Sequence, residues 1–132
     1  MIYFLVGIGG IVGAGLRFLF SLLFNHQILH GFPLATFITN IIGCFLIGWF
    51  TTFLVRLKFL HPPIITALTT GLIGSFTTFS TFSVETIHLI TSSNWEIAIF
   101  YVYISLLGGL LFSWFGYCLG HFNWKKKIGG EV

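Results

Sequence analysis

Charge is what this chain has least of. Its 132 residues include six Lys or Arg and three Asp or Glu, 7% in all. An ordinary soluble domain carries about 25% charged residues. So few charged groups cannot cover the surface of a soluble fold this long. Aspartate is absent altogether. There is also no GxSxG, no HExxH, no Walker lysine and no GxGxxG, so enzyme chemistry fails on inventory. Cysteine is limited to Cys44 and Cys118, both inside apolar stretches and without a CxxC. Their placement argues against a disulfide framework, and both are expected to be small packing residues. The net charge of +3 includes the run Lys125-Lys126-Lys127. No other basic face exists, which argues against a nucleic-acid partner. The five His fall at predicted span ends, with no His/Cys/Glu spacing for a transition-metal site.

Hydrophobic residues are what is present, at 56%, with 17 Phe, 4 Trp and 4 Tyr. That content excludes disorder. Four apolar stretches, about 2–24, 33–55, 62–90 and 95–120, are each long enough to cross a hydrocarbon core as a helix. The expectation is an all-α integral membrane protein, one four-helix domain over 1–132 with a basic tail at 121–132. The first stretch lacks a basic leader and a small-residue cleavage site, so it reads as a retained span. With four spans, both termini and the middle connector share one side. That side holds Arg56, Lys58, Lys125, Lys126 and Lys127, and the opposite connectors, 25–32 and 91–94, hold none. The bias places both termini in the cytoplasm of a multi-pass cell-membrane protein. Trp95 and Trp124 flank the fourth span, where aromatic belts belong.

Polar groups inside a membrane are costly, so each needs a reason. Arg17 in span one either draws anions or braces the fold. Asn40, in the middle of span two, either binds an ion or joins helices through its amide. Thr36 and Thr39 lie one turn away. Glu85 in span three reads equally as a proton carrier, a vestibule group or a partner of Arg17. Tyr101 and Ser105 in span four are four residues apart and share a face. Gly9 and Gly13, and Gly116 and Gly120, are four apart, a helix-packing spacing, and Gly43 and Gly48 lie in span two.

The most informative stretch is Gly71-Leu-Ile-Gly74-Ser-Phe-Thr77-Thr78-Phe79-Ser80-Thr81-Phe82-Ser83. Residues 75–83 are six hydroxyls and three Phe. Glycines followed by clustered hydroxyls weaken a regular helix, so span three is expected to break near Gly74–Thr78. Broken membrane helices survive only where buried in protein or lining a cavity. Freed carbonyls there can hold a small cation. Phe79 and Phe82 share a helix face, and an aromatic edge carries partial positive charge that can meet an anion.

Three motifs, in order, make the chain resemble the small bacterial fluoride channels of the Fluc or CrcB family. Gly9-Gly10-Ile-Val-Gly13-Ala14-Gly-Leu-Arg17-Phe18 is similar to the family's GGxxGAxxRY. Thr36-Phe-Ile-Thr-Asn40-Ile-Ile-Gly43-Cys-Phe45-Leu-Ile-Gly48 is similar to GTxxxNxxGxFxxG. The stretch 71–83 is similar to GxxGGxTTFSTFS. Departures are Phe18 for Tyr, Ala35 for Gly and Ser75 for the second Gly. Phe18 lacks the tyrosine hydroxyl, and none of the three touches the TTFSTF core.

The resemblance implies a passive fluoride exporter that keeps the cytoplasmic ion low. It implies an antiparallel dimer with two pores and a structural, untransported Na⁺ at its centre. Gly74 and Thr77 would supply carbonyls to that ion. The pore residues it implies are Asn40, Phe79, Phe82, Thr78, Ser80 and Thr81, followed by Tyr101 and Ser105. The charge bias adds one expectation. A chain that inserts one way should pair with a homologous partner of opposite bias rather than with itself. Two rivals stand beside this reading, a four-span proton-coupled multidrug or guanidinium exporter and a non-transporting membrane subunit. Neither requires TTFSTF together with Asn40.

Overall fold

The computed structural model describes residues 1–24, 31–53, 56 and 61–129, with backbone alone over 124–129. The connector 25–30, Lys58 and the side chains of Trp124 and Lys125–Lys127 lie outside the described residues. So do 130–132. The charge bias is therefore a property of sequence alone.

Every described element is helical. Helix α1 is Ile2–Phe24 and α2 is Leu34–Phe53. Helix α3 joins Pro62–Thr66, a π-helical segment Ala67–Ile73 and a final turn Gly74–Phe76. After a break come α4, Phe79–Thr91, and α5, Trp95–Gly129. Among the described residues, four helical stretches are long and apolar enough to cross a membrane: Ile2–Phe24, Leu34–Phe53, Pro62–Thr91 and Trp95–Asn123. Helix α5 continues past Gly120 into the tail. Large apolar side chains such as Phe4, Leu23, Leu110 and Trp114 are exposed, as a lipid-facing surface requires.

Local chemistry sets the ends. His61 is extended before two prolines, which occupy the first turn of α3, where a missing N–H costs nothing. Helix α4 closes with Ser93 at φ 62°, the Asn94 amide on the Leu89 carbonyl (2.9 Å) and the Ser93 amide on that of Ile90 (3.1 Å). This is a Schellman turn, which satisfies the last carbonyls and starts α5 within four residues.

The helices pack as two close pairs. Helix α1 lies along the π segment and last turn of α3, and α2 lies along α5. Glycines make both contacts. A β-carbon at Gly13 would overlap the Leu72 carbonyl, and one at Gly9 would lie 2.5 Å from that of Ala67. The glycines of span one thus seat the wide π turn against α1. Between α2 and α5, a β-carbon at Gly48 would overlap the Ser113 carbonyl, and one at Gly116 that of Phe45. A small buried cluster of Leu89, Ala98 and Tyr101, flanked by Phe32, Phe37 and Phe82, ties α4 to α5. Cys44 is half-buried beside Gly109. Cys118 is exposed on α5 rather than packed within the chain.

Candidate functional site

The break in span three is built from two extended residues. Thr77 has φ −80°, ψ 156° and Thr78 has φ −150°, ψ 122°. The last turn of α3 is closed by Thr77, whose amide and hydroxyl both reach the Ile73 carbonyl at 3.0 Å. A β-carbon at Gly43 would overlap the Thr77 methyl, so α2 presents a flat seat for that side chain. Thr78 begins the next helix. Its Oγ1 accepts from the Thr81 amide at 3.2 Å and sits within 3.2 Å of the Ser80 and 3.0 Å of the Thr81 hydroxyls. A threonine in this capping role stabilises a helix start by about 1 kcal/mol.

Asn40 of α2 faces the break. Its Oδ1 accepts from the Thr78 amide at 2.8 Å, and its Nδ2 donates to the Thr78 carbonyl at 3.0 Å. The side-chain amide pairs with one residue's backbone as a neighbouring strand would. Both groups that lost helical partners at Thr78 are thereby satisfied.

The three Phe of the stretch part company at the break. Phe76 is buried, its ring edge-on to Phe20 of α1 with centroids 5.6 Å apart. Phe79 and Phe82 lie beyond, with ring centroids 6.0 Å apart. Phe79 is 79% exposed. These two rings line an open cavity of about 390 Å³ with Asn40, Gly74, Thr77, Thr78 and Ser105. The Ser105 hydroxyl is buried and has no hydrogen-bond partner among the described residues. Ser105 lines the cavity with its hydroxyl set beneath the wall.

A second, more polar cavity of about 370 Å³ lies on the other side of the break. Arg17, Thr36, Thr39, Thr78, Thr81 and Glu85 line it. Arg17 and Glu85 share this cavity, yet no ion pair joins them among the described residues. Glu85 instead accepts from the Thr36 hydroxyl on one oxygen and from the Tyr101 hydroxyl on the other, both at 2.8 Å. Two donors on two oxygens suit an ionised, acceptor-only carboxylate. Tyr101 is fully buried, its ring 5.0 Å from Phe82. It therefore stands behind Phe82, while Ser105, one turn along α5, reaches the open cavity.

Tyr101→Phe would strip one donor from Glu85 and leave that oxygen unpaired in a half-buried site. The expected cost is about 1–3 kcal/mol. It is read as a lowered thermal midpoint of the purified protein in detergent, with the helical circular dichroism spectrum retained. An unchanged midpoint would mean that water replaces the hydroxyl.

Thr36 as a partner of Glu85 is not evident in the sequence. The two are 49 residues apart, and only their shared position as polar groups in apolar spans hints at a meeting.

Comparison with known proteins gives the family of the chain. Residues 4–117 match the family described as CrcB-like protein, Camphor Resistance (CrcB). A "Fluoride-specific ion channel FluC 1" of Bacillus cereus is 52% identical over 97% of this chain and 89% of its own length. A "FluC 2" of Geobacillus kaustophilus is 43% identical over 98% of this chain and all of its own. A "FluC" of Oceanobacillus iheyensis is 42% identical over 93% and 94%. The chain belongs to the CrcB/FluC family of fluoride channels.

Proposed function

We propose that this protein is a fluoride-specific channel that passively exports the ion from the cytoplasm, and that the pore runs past the helix break. One observation carries the assignment of residues: Phe79 and Phe82 stand 6.0 Å apart on an open cavity beside the Ser105 hydroxyl. Fluoride is small and strongly hydrated. A pore must replace its water with donors and partial positive charge, and hold it weakly enough at several sites to let it go. Ring edges and hydroxyls fit that need. A fixed cation beside the path would trap the anion, and Arg17 lines the other cavity. The pore set is Asn40, Phe79, Phe82, Thr78, Ser80 and Ser105, with Tyr101 behind Phe82, while Thr81 lines the polar cavity. Arg17 and Glu85 serve the polar cavity.

The open face that carries Phe79 calls for a second subunit, antiparallel to the first. Its occupant would be a homologous chain of opposite charge bias, because Lys and Arg here gather on one side and would keep both termini cytoplasmic. A structural Na⁺ fits the break. The Thr78 amide is taken by Asn40, which leaves the Gly74 carbonyl without its helical donor, and the extended Thr77 ends the helix. Gly74 and Thr77 both line the open cavity. Their carbonyl oxygens are hard donors of the kind that hold alkali ions. When bound, the cation supplies positive charge that ties the subunits together.

Efflux from liposomes holding this chain alone, read with a fluoride electrode and with chloride as control, tests the reading. Fluoride-only efflux that needs no imposed pH gradient is expected of the channel. Flux without a partner would overturn the obligate pairing. No flux alone and none after co-reconstitution with an oppositely biased homologue would overturn the channel itself.

A further inference from the structure

Asn40 spends its hydrogen bonds on the protein. Of its four amide capacities, one of the two acceptor sites on Oδ1 and one of the two donors engage Thr78. Only one N–H remains to meet an anion. In an unbroken helix the Thr78 amide would donate to the carbonyl four residues back, that of Gly74. It donates to Asn40 instead, and the Thr78 carbonyl accepts from the same side chain. The geometry points to Asn40 as a positioning residue: it holds span three broken by taking Thr78's backbone partners, and so keeps the Gly74 carbonyl free to bind a cation. The cation clause rests on the reading above; the positioning clause rests on the hydrogen bonds alone.

Three features support it. The exchange is complete, because both Thr78 backbone groups are paired at 2.8 and 3.0 Å. It is supported from the same helix, because Gly43, three residues on from Asn40, clears the space in which Thr77 sits. It is also rigidly mounted. Helix α2 is clamped to α5 through Gly48 and Gly116, so the amide reaches the break from a fixed scaffold. One side chain therefore links the pore, through its spare N–H, with the carbonyl that would meet the cation.

Two substitutions separate this role from that of a simple anion ligand. Asn40→Asp keeps an acceptor for the Thr78 amide and removes the donor. Asn40→Ala removes both. The full chain, purified in detergent, is titrated with Na⁺ against N-methylglucamine at constant ionic strength, with the thermal midpoint as readout. Hydrogen exchange of the Thr78 amide is followed on the same samples. Asn40→Asp should lose fluoride efflux, keep its Na⁺ midpoint within threefold of the parent and keep the Thr78 amide protected. Asn40→Ala should raise the Na⁺ midpoint at least tenfold and exchange the Thr78 amide at least tenfold faster. Phe79→Ile serves as a pore control that should lose efflux and leave the Na⁺ midpoint alone.

A folded Asn40→Ala protein with the parent's Thr78 exchange rate would overturn the positioning role. A parent with no Na⁺ response would overturn the cation clause, while the exchange rates would still decide the rest. Loss of efflux in both Asn40 variants, with Na⁺ midpoints and exchange unchanged, would make Asn40 an anion ligand only.

Discussion

Phe79→Ile should cut fluoride efflux from liposomes by tenfold to a hundredfold and leave the thermal midpoint of the protein where it was. The ring is 79% exposed within its own chain, so it adds little to folding. Isoleucine keeps the apolar bulk but lacks the quadrupole that gives an aromatic ring a positive edge. An anion stripped of water at that point loses one favourable contact. One polar contact to a charged group is worth about 1.5–3 kcal/mol, and each 1.4 kcal/mol on a barrier is a factor of ten in rate. Phe82 is the poorer test, because it also packs on the buried Tyr101 ring, so its loss would mix folding with flux. Efflux at the parent rate in Phe79→Ile, in liposomes that still pass no chloride, would remove this ring from the pore.

The same two rings mark how far sequence reasoning reaches. Hydroxyls clustered after two glycines announce a broken helix, and the structure breaks at Thr77–Thr78. That signal is local, since neighbouring hydroxyls and glycines act on their own backbone. The four long apolar helices are legible for the same reason. The π-helical turn over Ala67–Ile73 is not. It depends on how closely α1 can approach, which Gly9 and Gly13 decide from more than fifty residues away. The fate of Glu85 was equally hidden. Three roles were open to it by residue type, and the choice of Thr36 and Tyr101 as partners is made by helix packing. Tyr101 and Ser105 share a helical face by spacing, yet the depth of each differs. One is sealed behind Phe82 and the other reaches the cavity. Spacing gives a direction around a helix, and burial depends on the neighbour.

That dependence on close approach sets the second large effect. Gly116→Ala should destabilise the protein by about 3 kcal/mol or more, at or beyond the upper end for overpacking. Its new methyl would overlap the Phe45 carbonyl and come within 3.0 Å of the Trp49 amide. Both are backbone atoms, so no side chain can turn aside and the helices must separate. Gly48→Ala should act alike from the other face, against the Ser113 carbonyl. Gly15 on α1 has nothing within 4 Å of its β position. Alanine there should be neutral or stabilising by up to about 1 kcal/mol, since it favours helix over glycine. The opposite signs exclude a general effect of glycine loss. Thermal unfolding in detergent, followed by tryptophan fluorescence, reads all three. Equal midpoints for Gly116→Ala and Gly15→Ala would mean that α2 and α5 are not held at backbone contact. The clamp that presents Asn40 to the break would then need another explanation. If the midpoints split as expected, the rigidity of α2 belongs to function as much as to folding. Separating α2 from α5 would draw Asn40 away from Thr78 and open the break before the protein unfolds, so fluoride efflux should fall at temperatures below the melting midpoint.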